Sequence, residues 1–407
     1  MSSFSIALSG LTASSSNLDV TANNIANSNT VGFKESRAEF ADVYASGAVN
    51  LNTSVTGEGV RLASTAQQFT QGNISTSSSN LDLAISGDGF FTLKDASGTV
   101  YSRNGQFTED SSGNVVSSTG QALQVYPPLV NGGFNTGALS DLNLQTAQSA
   151  PQATSAGTAI LNLPAGATVP TVAPFNPTNS LTYNQSTSTT VYDSLGNAYP
   201  ATFFFSQTAA PKVWAVNLTV NGTAVGAAQN LTFNGSGAVM TPVGGALTFA
   251  GFAPPDGASA MTMDFNFGST TQYGGSFGVT SITQNGYATG QLSTVAIDPA
   301  GIVSAVYTNG RSTELGQMAL ANFPNPQGLK QLGDTNWSQT FTSGDVVQGT
   351  AASAGFGSIQ SGALESSNVD LTTELVNMIT AQRSFDANAQ VITTSNQESQ
   401  TIIQAAH

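Results

Sequence analysis

The sequence predicts a multidomain α+β protein. Long terminal α-helices pair as a coiled-coil-like domain, and two mainly-β domains form the middle, the outer one inserted into the inner one. Apolar residues repeat every seven positions at both ends of the chain, whereas the middle consists of short alternating runs separated by glycine and asparagine. The stretches around 70–125 and 290–345 also resemble each other, as expected if one domain is built from both arms of a 407-residue chain.

The N-terminal segment carries apolar residues at heptad spacing. The positions seven residues apart are Phe4, Leu11, Leu18 and Ile25, and a second track begins four residues after the first of them, at Leu8. Such spacing places the side chains along one face of a helix. The polar stretch 27–32 breaks the period, so we expect the helix to stop there.

The C-terminal segment repeats this pattern. Its first track contains Leu364, Leu371, Met378, Phe385 and Ile392, and its second track contains Leu375 and Ile403. Ser367 and Asp370 have the spacing of a capping box, which predicts that the helix begins near residue 367. We assign 1–30 and 362–407 to one terminal helical polymerisation domain.

Two interpretations fit these terminal helices. A single amphipathic helix usually covers its own domain, and its outer face usually carries many charge pairs. Here the opposite faces carry serine, threonine and asparagine, and Asp19 is the sole charged residue before Lys34. Matching seams at both ends with so little charge favour burial between copies of the chain in an assembly.

The middle of the chain predicts two β domains. We assign 31–70 to a linker or extended segment, 71–148 with 285–361 to the inner β domain, and 149–284 to the inserted outer domain. The pairs Asn104-Gly105 and Asn309-Gly310 each follow a tyrosine-containing run, and such pairs are a strong hairpin signal.

Composition excludes several classes of function. Charged residues make up 8% of the chain, against about 25% in a typical soluble domain, and the net charge is -14. This charge repels phosphate backbones, so nucleic acid is not expected as a partner. The chain has no cysteine, and its single histidine is His407, so a catalytic triad, a zinc site and a cofactor are not expected.

Paired carboxylates remain open as catalytic groups. Asp88 and Asp193 are the candidates, but both lie in glycine-rich turns, where aspartate usually accepts backbone hydrogen bonds. We interpret them as turn residues and predict that the protein is not an enzyme.

The N-terminus lacks the basic, apolar and cleavage regions of a secretory signal peptide. No apolar run reaches the roughly 18 residues that a membrane-spanning helix needs. We therefore expect no membrane insertion, and export, if it occurs, without a cleaved signal.

Two terminal motifs resemble those of flagellar basal-body rod and hook proteins. The N-terminal signature contains Asn23, Asn24, Ile25, Ala26, Asn27, Gly32 and Phe33. The C-terminal signature contains Gly362, Leu364, Glu365, Ser367, Asn368 and Val369. Residues 81–91 (LDLAISGDGFF) are similar to a third block of the family, and the resemblance covers roughly 1–125 and 285–407.

The resemblance implies a structural subunit that self-assembles into the curved helical tube of the flagellar hook, a universal joint that transmits motor torque. It also implies export by the flagellar type III apparatus, an extracellular location, and contacts with the rod, the hook cap and the hook-filament junction proteins. A distal rod protein remains an alternative, but it should lack a large inserted domain. A secreted adhesin or coat protein is a more distant alternative, because it needs no paired terminal seams.

Overall fold

A computed structural model of the protein describes residues 3–43, 57–145 and 148–405. This part of the chain contains two α-helices, one near each end, and 28 β-strands between them. The expectation of a mostly-β multidomain chain with terminal helices is therefore confirmed. Two compact units are present. Unit 1 comprises Met1–Gln145, Val295–Ala305 and Thr313–His407, and unit 2 comprises Thr146–Thr294 and Val306–Ser312.

The two helices differ in how well the sequence located them. Helix α1 spans Ser3–Ala26 and ends just before the polar stretch that predicted its stop. Helix α2 spans Leu371–Ala405 and begins later than predicted. Leu364, which the heptad pattern assigned to the second helix, lies instead in a β-strand that pairs with the N-terminal arm.

The start of α2 is determined by Asp370 and not by Ser367. The Asp370 Oδ1 atom accepts hydrogen bonds from the backbone N–H groups of Thr372, at 2.8 Å, and Thr373, at 3.2 Å. These are the amides that an N-cap side chain satisfies. The capping-box prediction was wrong because its acidic member is itself the cap.

The strands are numbered in chain order. The first ten are β1 Ser36–Asp42, β2 Val60–Gln67, β3 Ile74–Thr76, β4 Leu83–Ser86, β5 Phe90–Asp95, β6 Gly98–Ser102, β7 Phe107–Glu109, β8 Val115–Ser117, β9 Ala122–Tyr126 and β10 Ser140–Asp141. The next ten are β11 Ala156–Pro164, β12 Gln185–Tyr192, β13 Ala198–Gln207, β14 Val213–Val220, β15 Thr223–Phe233, β16 Val239–Thr241, β17 Ala246–Phe252, β18 Met261–Asn266, β19 Thr271–Tyr273 and β20 Gly278–Gln284. The last eight are β21 Leu292–Ile297, β22 Ile302–Tyr307, β23 Ser312–Asn322, β24 Lys330–Gly333, β25 Asn336–Ser338, β26 Val347–Thr350, β27 Ser358–Ser361 and β28 Ala363–Glu365.

The stretch 31–70, expected as a linker, contains regular structure. Strands β1 and β2 pair antiparallel, with Ser36 opposite Gln67 and Asp42 opposite Val60. Part of the connection between them, 44–56, lies outside the described residues. The alternation in these strands is weak because most of their side chains are exposed or half-buried.

Unit 1 is organised around a twelve-stranded sheet, whose main order is β21-β22-β23-β9-β5-β6-β25-β24. Strand β5 also pairs with β23, so the two arms of the chain meet in one sheet. Its core includes the fully buried side chains of Leu83, Phe91, Leu123 and Leu320. Two short ladders, β4–β27 and β3–β28, bring the C-terminal arm back beside the N-terminal arm just before α2.

Unit 2 contains two five-stranded sheets. One is antiparallel with the order β12-β13-β14-β15-β16. The other has the order β17-β18-β11-β19, and β20 pairs with β11. Side chains alternate along β18: Met261, Met263 and Phe265 are buried and their neighbours are exposed. This period of two is typical of a sheet with one face in a core.

The core of unit 2 is apolar and rich in aromatic rings. Phe203, Phe205 and Trp214 are fully buried. The ring of Phe203 lies 4.8 Å from that of Phe265 in an edge-to-face arrangement, which suits the ring quadrupoles. Unit 2 thus has an apolar core of its own, which contains most of its aromatic side chains.

The two Asn-Gly pairs differ in their roles. Asn309-Gly310 connects the neighbouring strands β22 and β23, so this hairpin prediction is confirmed. The strands that flank Asn104-Gly105, β6 and β7, pair with other strands and not with each other, so that prediction was wrong. Gly105 serves a close backbone approach: an added Cβ would lie 1.7 Å from the carbonyl oxygen of Leu83.

Candidate assembly surface and helix junction

The two terminal helices contact each other and run antiparallel. Near the C-terminal end of α1, the Asn24 side-chain amide donates to the Glu374 carboxylate at 3.4 Å. Nearer its N-terminal end, Gly10 faces Asn388 so closely that an added Cβ would lie 2.7 Å from the side-chain oxygen. The start of one helix therefore lies beside the far part of the other.

Small and polar residues line the contact between the helices. Ala7, Ser14 and Thr21 lie seven residues apart on α1, and all three are buried. On α2, Glu374 and Ala381 have the same spacing and are also buried. Side chains of this size let two helix backbones approach closely, as Gly10 also does. The predicted seams did not include this track because they were drawn through large apolar residues, although the small residues repeat at the same heptad spacing.

The large apolar residues that marked the predicted seams lie elsewhere on the helices. Phe4 is 39% exposed, Leu8 47%, Leu371 45% and Leu375 50%. The half-buried members of the same tracks are Leu11, Leu18, Ile25, Met378, Phe385 and Ile392. Ile403 lies within α2, but its side chain is outside the described residues.

Helix α2 exposes three further large apolar side chains. Val376, Ile379 and Val391 are 58%, 50% and 45% exposed. On α1, a groove of about 370 Å³ opens between the helix and β2, and its lining includes Leu8 and Leu62. We call the exposed apolar residues of α1 and α2 the apolar helix surface. An isolated chain that leaves so much apolar area in water would gain free energy by covering it.

A buried group of three charged residues lies where the helices join the β structure of unit 1. The Lys34 Nζ atom lies 2.7 Å from Glu365 Oε1, and the Arg103 Nη1 atom lies 3.2 Å from Glu365 Oε2. The three side chains are 1%, 5% and 0% exposed for Lys34, Arg103 and Glu365. We call this group the junction triad.

Backbone groups add three hydrogen bonds to the junction triad, and the buried Arg103 Nε has no partner among the described residues. Glu365 Oε1 also accepts from the N–H of Gly72 at 2.8 Å. Lys34 donates to the carbonyl of Thr70 at 2.7 Å, and Arg103 Nη2 donates to the carbonyl of Gly87 at 2.8 Å. Charge-assisted hydrogen bonds of this kind offset much of the cost of burying charge.

Burial and the neighbouring charges shift the pKa values of both bases. Burial lowers the pKa of Lys34, the Glu365 carboxylate acts in the opposite direction, and the nearby Arg103 charge lowers the pKa further. Burial also lowers the pKa of Arg103, again against the effect of Glu365. Glu365 is therefore the group that compensates two buried positive charges.

Two asparagines of the terminal signatures attach both helices to the same place. Asn24 exchanges two hydrogen bonds with the backbone of Ser36, at 2.9 and 2.8 Å. The Asn368 side chain accepts from the N–H of Glu35 at 2.7 Å and donates to the carbonyl of Gln68 at 2.8 Å. An asparagine side chain has both a donor and an acceptor, and Asn24 and Asn368 each use both.

Gly32 belongs to the same junction. It has a φ of +71°, and its N–H donates to the backbone carbonyl of Glu365 at 2.8 Å. An added Cβ there would lie 2.5 Å from the backbone nitrogen of Asn104, so only glycine fits.

The remaining signature residues occupy several environments. Phe33 is buried beside Gly32, and Gly362 has a φ of +67°. Exposed positions on α1 are Asn23 and Ala26, and half-buried positions are Asn27, Ser367 and Val369. The signatures thus combine junction residues with surface residues.

The structure also bears on Asp193, on metal sites and on membrane-spanning helices. Asp193 Oδ1 accepts from the N–H groups of Leu195 and Asn197, at 2.8 and 2.9 Å, in agreement with its interpretation as a turn residue. Within residues 3–43, 57–145 and 148–405, no three histidine, aspartate or glutamate side chains are grouped as a metal site would require. Neither of the helices in these ranges is long and apolar enough to cross a membrane.

Comparison with known proteins identifies the family. Four family models match: flagella basal body rod protein over 4–34, flagellar hook protein FlgE/F/G D1 domain over 84–173, flagellar basal body protein FlaE D2 domain over 162–287, and flagellar basal body rod FlgEFG protein C-terminal over 360–405. The flagellar hook protein FlgE of Escherichia coli K12 is 39% identical, over 98% of this chain and 99% of that protein. The chain belongs to the flagellar hook protein family.

Other hook proteins extend this similarity. The Salmonella typhimurium FlgE is 40% identical over 98% of this chain and 99% of its own length. The Rhizobium meliloti FlgE is 34% identical over 96% and 95% of the two chains. The crystal structure of Helicobacter pylori flagellar hook protein FlgE2 has 13% identity and a TM-score of 0.53, covering 72% of this chain and all of that one, which shows a shared fold.

Proposed function

We propose that this hook-family protein is the structural subunit of the bacterial flagellar hook, which assembles with copies of itself into a curved helical tube. The tube acts as a universal joint that transmits motor torque from the rod to the filament. The observation that carries the proposal is the apolar helix surface, because both chain ends expose large apolar residues such as Leu8 and Leu375. Full-length relatives named hook proteins support the same role.

The terminal helices form the polymerisation domain in this proposal. Residues 1–30 and 362–407 pair as a coiled-coil-like domain, and the groove that Ser14 and Ala381 line between the antiparallel helices supports this. Small residues join the helices within one chain, and the large apolar residues remain for contacts between chains. Burying an exposed leucine, isoleucine or phenylalanine contributes about 1.5–3 kcal/mol for a full side chain, so several half-exposed ones suffice to drive association.

The β structure provides the outer part of the tube. Residues 71–148 and 285–361 form an inner β domain, 31–70 lead to it from the helix, and 149–284 form an outer domain inserted into it. The separate compactness of unit 2, whose main segment is continuous in sequence, supports the insertion. Its surface is rich in serine, threonine and asparagine, and hydrogen bonds between such groups contribute only about 0.5–1.5 kcal/mol each. Neighbouring subunits can therefore exchange contacts while the tube bends.

The partners follow from the family. We propose that the subunit is exported by the flagellar type III apparatus without a cleaved signal, is located outside the cell, and contacts the rod, the hook cap and the hook-filament junction proteins. We propose no enzymatic role, no cofactor, no nucleic-acid partner and no membrane insertion. Its net charge of -14 favours repulsion from phosphate backbones.

Immuno-electron microscopy tests the proposal. Antibodies against residues 149–284 are applied to intact cells and to purified basal bodies, with a strain that lacks the gene as the control. Label along the short curved segment between cell and filament is expected. Label confined to the straight rod would instead identify a distal rod protein, and label over the cell surface without flagellar label would identify an adhesin or coat protein.

A further inference from the structure

The junction triad connects three separate parts of unit 1. Lys34 follows α1 in the chain, Glu365 precedes α2, and Arg103 follows the sheet strand β6. One carboxylate holds both bases, with a different oxygen for each. A carboxylate is planar, so its two hydrogen bonds have fixed directions. The arrangement therefore fixes the segment after α1 and the segment before α2 in orientation relative to the sheet.

We propose that Lys34, Arg103 and Glu365 are positioning residues. They set the direction in which the two terminal helices leave the β structure of unit 1, and so present the apolar helix surface to a second copy of this chain in the register that a regular tube requires. This inference rests on the proposed function and assigns it to particular residues.

Stability alone does not account for the triad. Removing charges from water costs several kcal/mol per ion, and well-packed apolar residues in place of a buried ion group are often neutral or stabilising. The interactions of a charged triad are directional and those of an apolar cluster are not, because each hydrogen bond defines an angle as well as a distance. The triad side chains make five such bonds: two from the bases to Glu365, and three to or from the backbone of Thr70, Gly72 and Gly87.

The triad also makes the docking of the two chain ends interdependent. Burial lowers the pKa of Lys34, and the nearby Arg103 charge lowers this pKa further, whereas Glu365 opposes both effects. Without Glu365, two positive charges would remain buried without their shared counter-charge. The N-terminal segment therefore adopts its position only when the C-terminal segment has brought Glu365 into place.

Three variants separate positioning from stability. Glu365→Gln breaks the triad and leaves two buried bases. The triple variant Lys34→Met, Arg103→Met, Glu365→Leu replaces the triad by apolar side chains of similar size. Arg37→Gln is the matched control, because it removes one partner of the exposed Arg37–Glu39 ion pair on nearby β1.

Two measurements are made on each purified full-length chain and its polymer: thermal unfolding of the monomer, and helical symmetry and curvature by electron microscopy. We expect Glu365→Gln to lower the unfolding temperature by on the order of 10 °C. We expect the triple variant to unfold at a higher temperature than Glu365→Gln, since it leaves no buried charge, although three backbone groups lose their partners. We expect it to form polymers of altered or irregular symmetry. Arg37→Gln should match the natural chain in both.

The outcome that overturns the inference is a triple variant that folds and gives tubes of natural symmetry and curvature. If the triple variant unfolds, Arg103→Lys decides instead. It keeps the charge but lacks the fork that reaches both Glu365 and Gly87, so natural symmetry in this variant also overturns the inference. Failure of the proposed function is distinguishable, because then the natural chain itself would form no hook.

Discussion

Unit 2 and the helix pair of unit 1 differ in how far their large apolar side chains are exposed to solvent. In unit 2, Phe203, Phe205 and Trp214 are fully buried. On the helices, Leu8 and Leu375 are about half exposed, and the buried positions between the helices hold residues such as alanine and serine. The same chain therefore contains one region whose large aromatic residues form a closed core and one whose large apolar residues stay partly exposed along two helices.

This difference separates folding from assembly. A domain that buries an aromatic core of its own folds without a partner, because that core already removes much apolar area from water. A helix pair joined by small residues gains little free energy from its own contact, since little apolar area is removed from water there. Mutations in the two regions should consequently change different measured quantities.

The largest expected effect is in the core of unit 2. Phe203→Ala removes a ring that contacts Phe249, Phe265 and Phe267. The free energy of unfolding of unit 2 should fall by about 3–5 kcal/mol, through lost burial and the cavity left behind. Urea unfolding followed by the fluorescence of Trp214 measures this, in a background in which Trp337, the second tryptophan, is replaced by phenylalanine.

The control for this core variant is Phe341→Ala, which removes a fully exposed ring. It should leave the free energy of unfolding within about 0.5 kcal/mol of that of the natural chain. Equal losses in the two variants would contradict the assignment of the aromatic core.

A smaller effect is expected from substitutions on α2, and it concerns the critical concentration for polymerisation. Leu371→Gln combined with Leu375→Gln removes about half of two leucine side chains from the proposed contact, because both are about half exposed. With the added cost of burying the amides, about 3 kcal/mol is lost, which raises the critical concentration for polymerisation on the order of 100-fold. Sedimentation of polymer measures this.

Glutamine keeps the helix propensity of leucine, so monomer unfolding should not change. Leu195→Gln, at an exposed turn position of unit 2, is the matched control and should alter the critical concentration less than about threefold. If the double variant polymerised like the natural chain, the apolar helix surface would not be the assembly contact.

The smallest effect is a pH dependence within unit 2. Burial, together with the hydrogen bond from the Tyr199 hydroxyl to Asp256, raises the pKa of Tyr199 to about 12. Because the folded pKa lies above the unfolded value of about 10, the stabilising contribution is fully present below pH 10 and is lost as the pH rises through 12. The difference in unfolding temperature between the natural chain and Tyr199→Phe should therefore shrink over this range.

Ultraviolet absorbance titration measures the ionisation directly. The tyrosinate signal that disappears in Tyr199→Phe should titrate near pH 12. If the signal that disappears in Tyr199→Phe titrated near pH 10 instead, the Tyr199 hydroxyl would be exposed to water. This result would weaken the contrast between the core of unit 2 and the exposed helices.

Local sequence patterns predicted part of the structure well. The heptad spacing of Phe4, Leu11 and Leu18 located α1, and the short alternating runs of the middle indicated its β structure. These patterns are local because helices and strands have fixed side-chain periods. The Asn309-Gly310 hairpin was predictable for the same reason.

Other features depended on residues distant in sequence. Leu364 continued the heptad pattern but pairs with Ser75 in a strand. Asn104-Gly105 carried a turn signal, yet Gly105 is required for its approach to Leu83. In both places a contact with a residue outside the local segment overrides the local preference, and the local sequence contains no record of that contact.

By itself, the sequence determined the terminal helices, the β-rich middle, the low charge and the family signatures, because each follows from composition or from periodicity over a few residues. The tertiary structure alone decided which helical face joins the two helices and which remains exposed. It also decided that Lys34, Arg103 and Glu365 meet. The physical reason is that a helix has several tracks at the same spacing, and buried charges are placed only where a partner from another part of the chain compensates them.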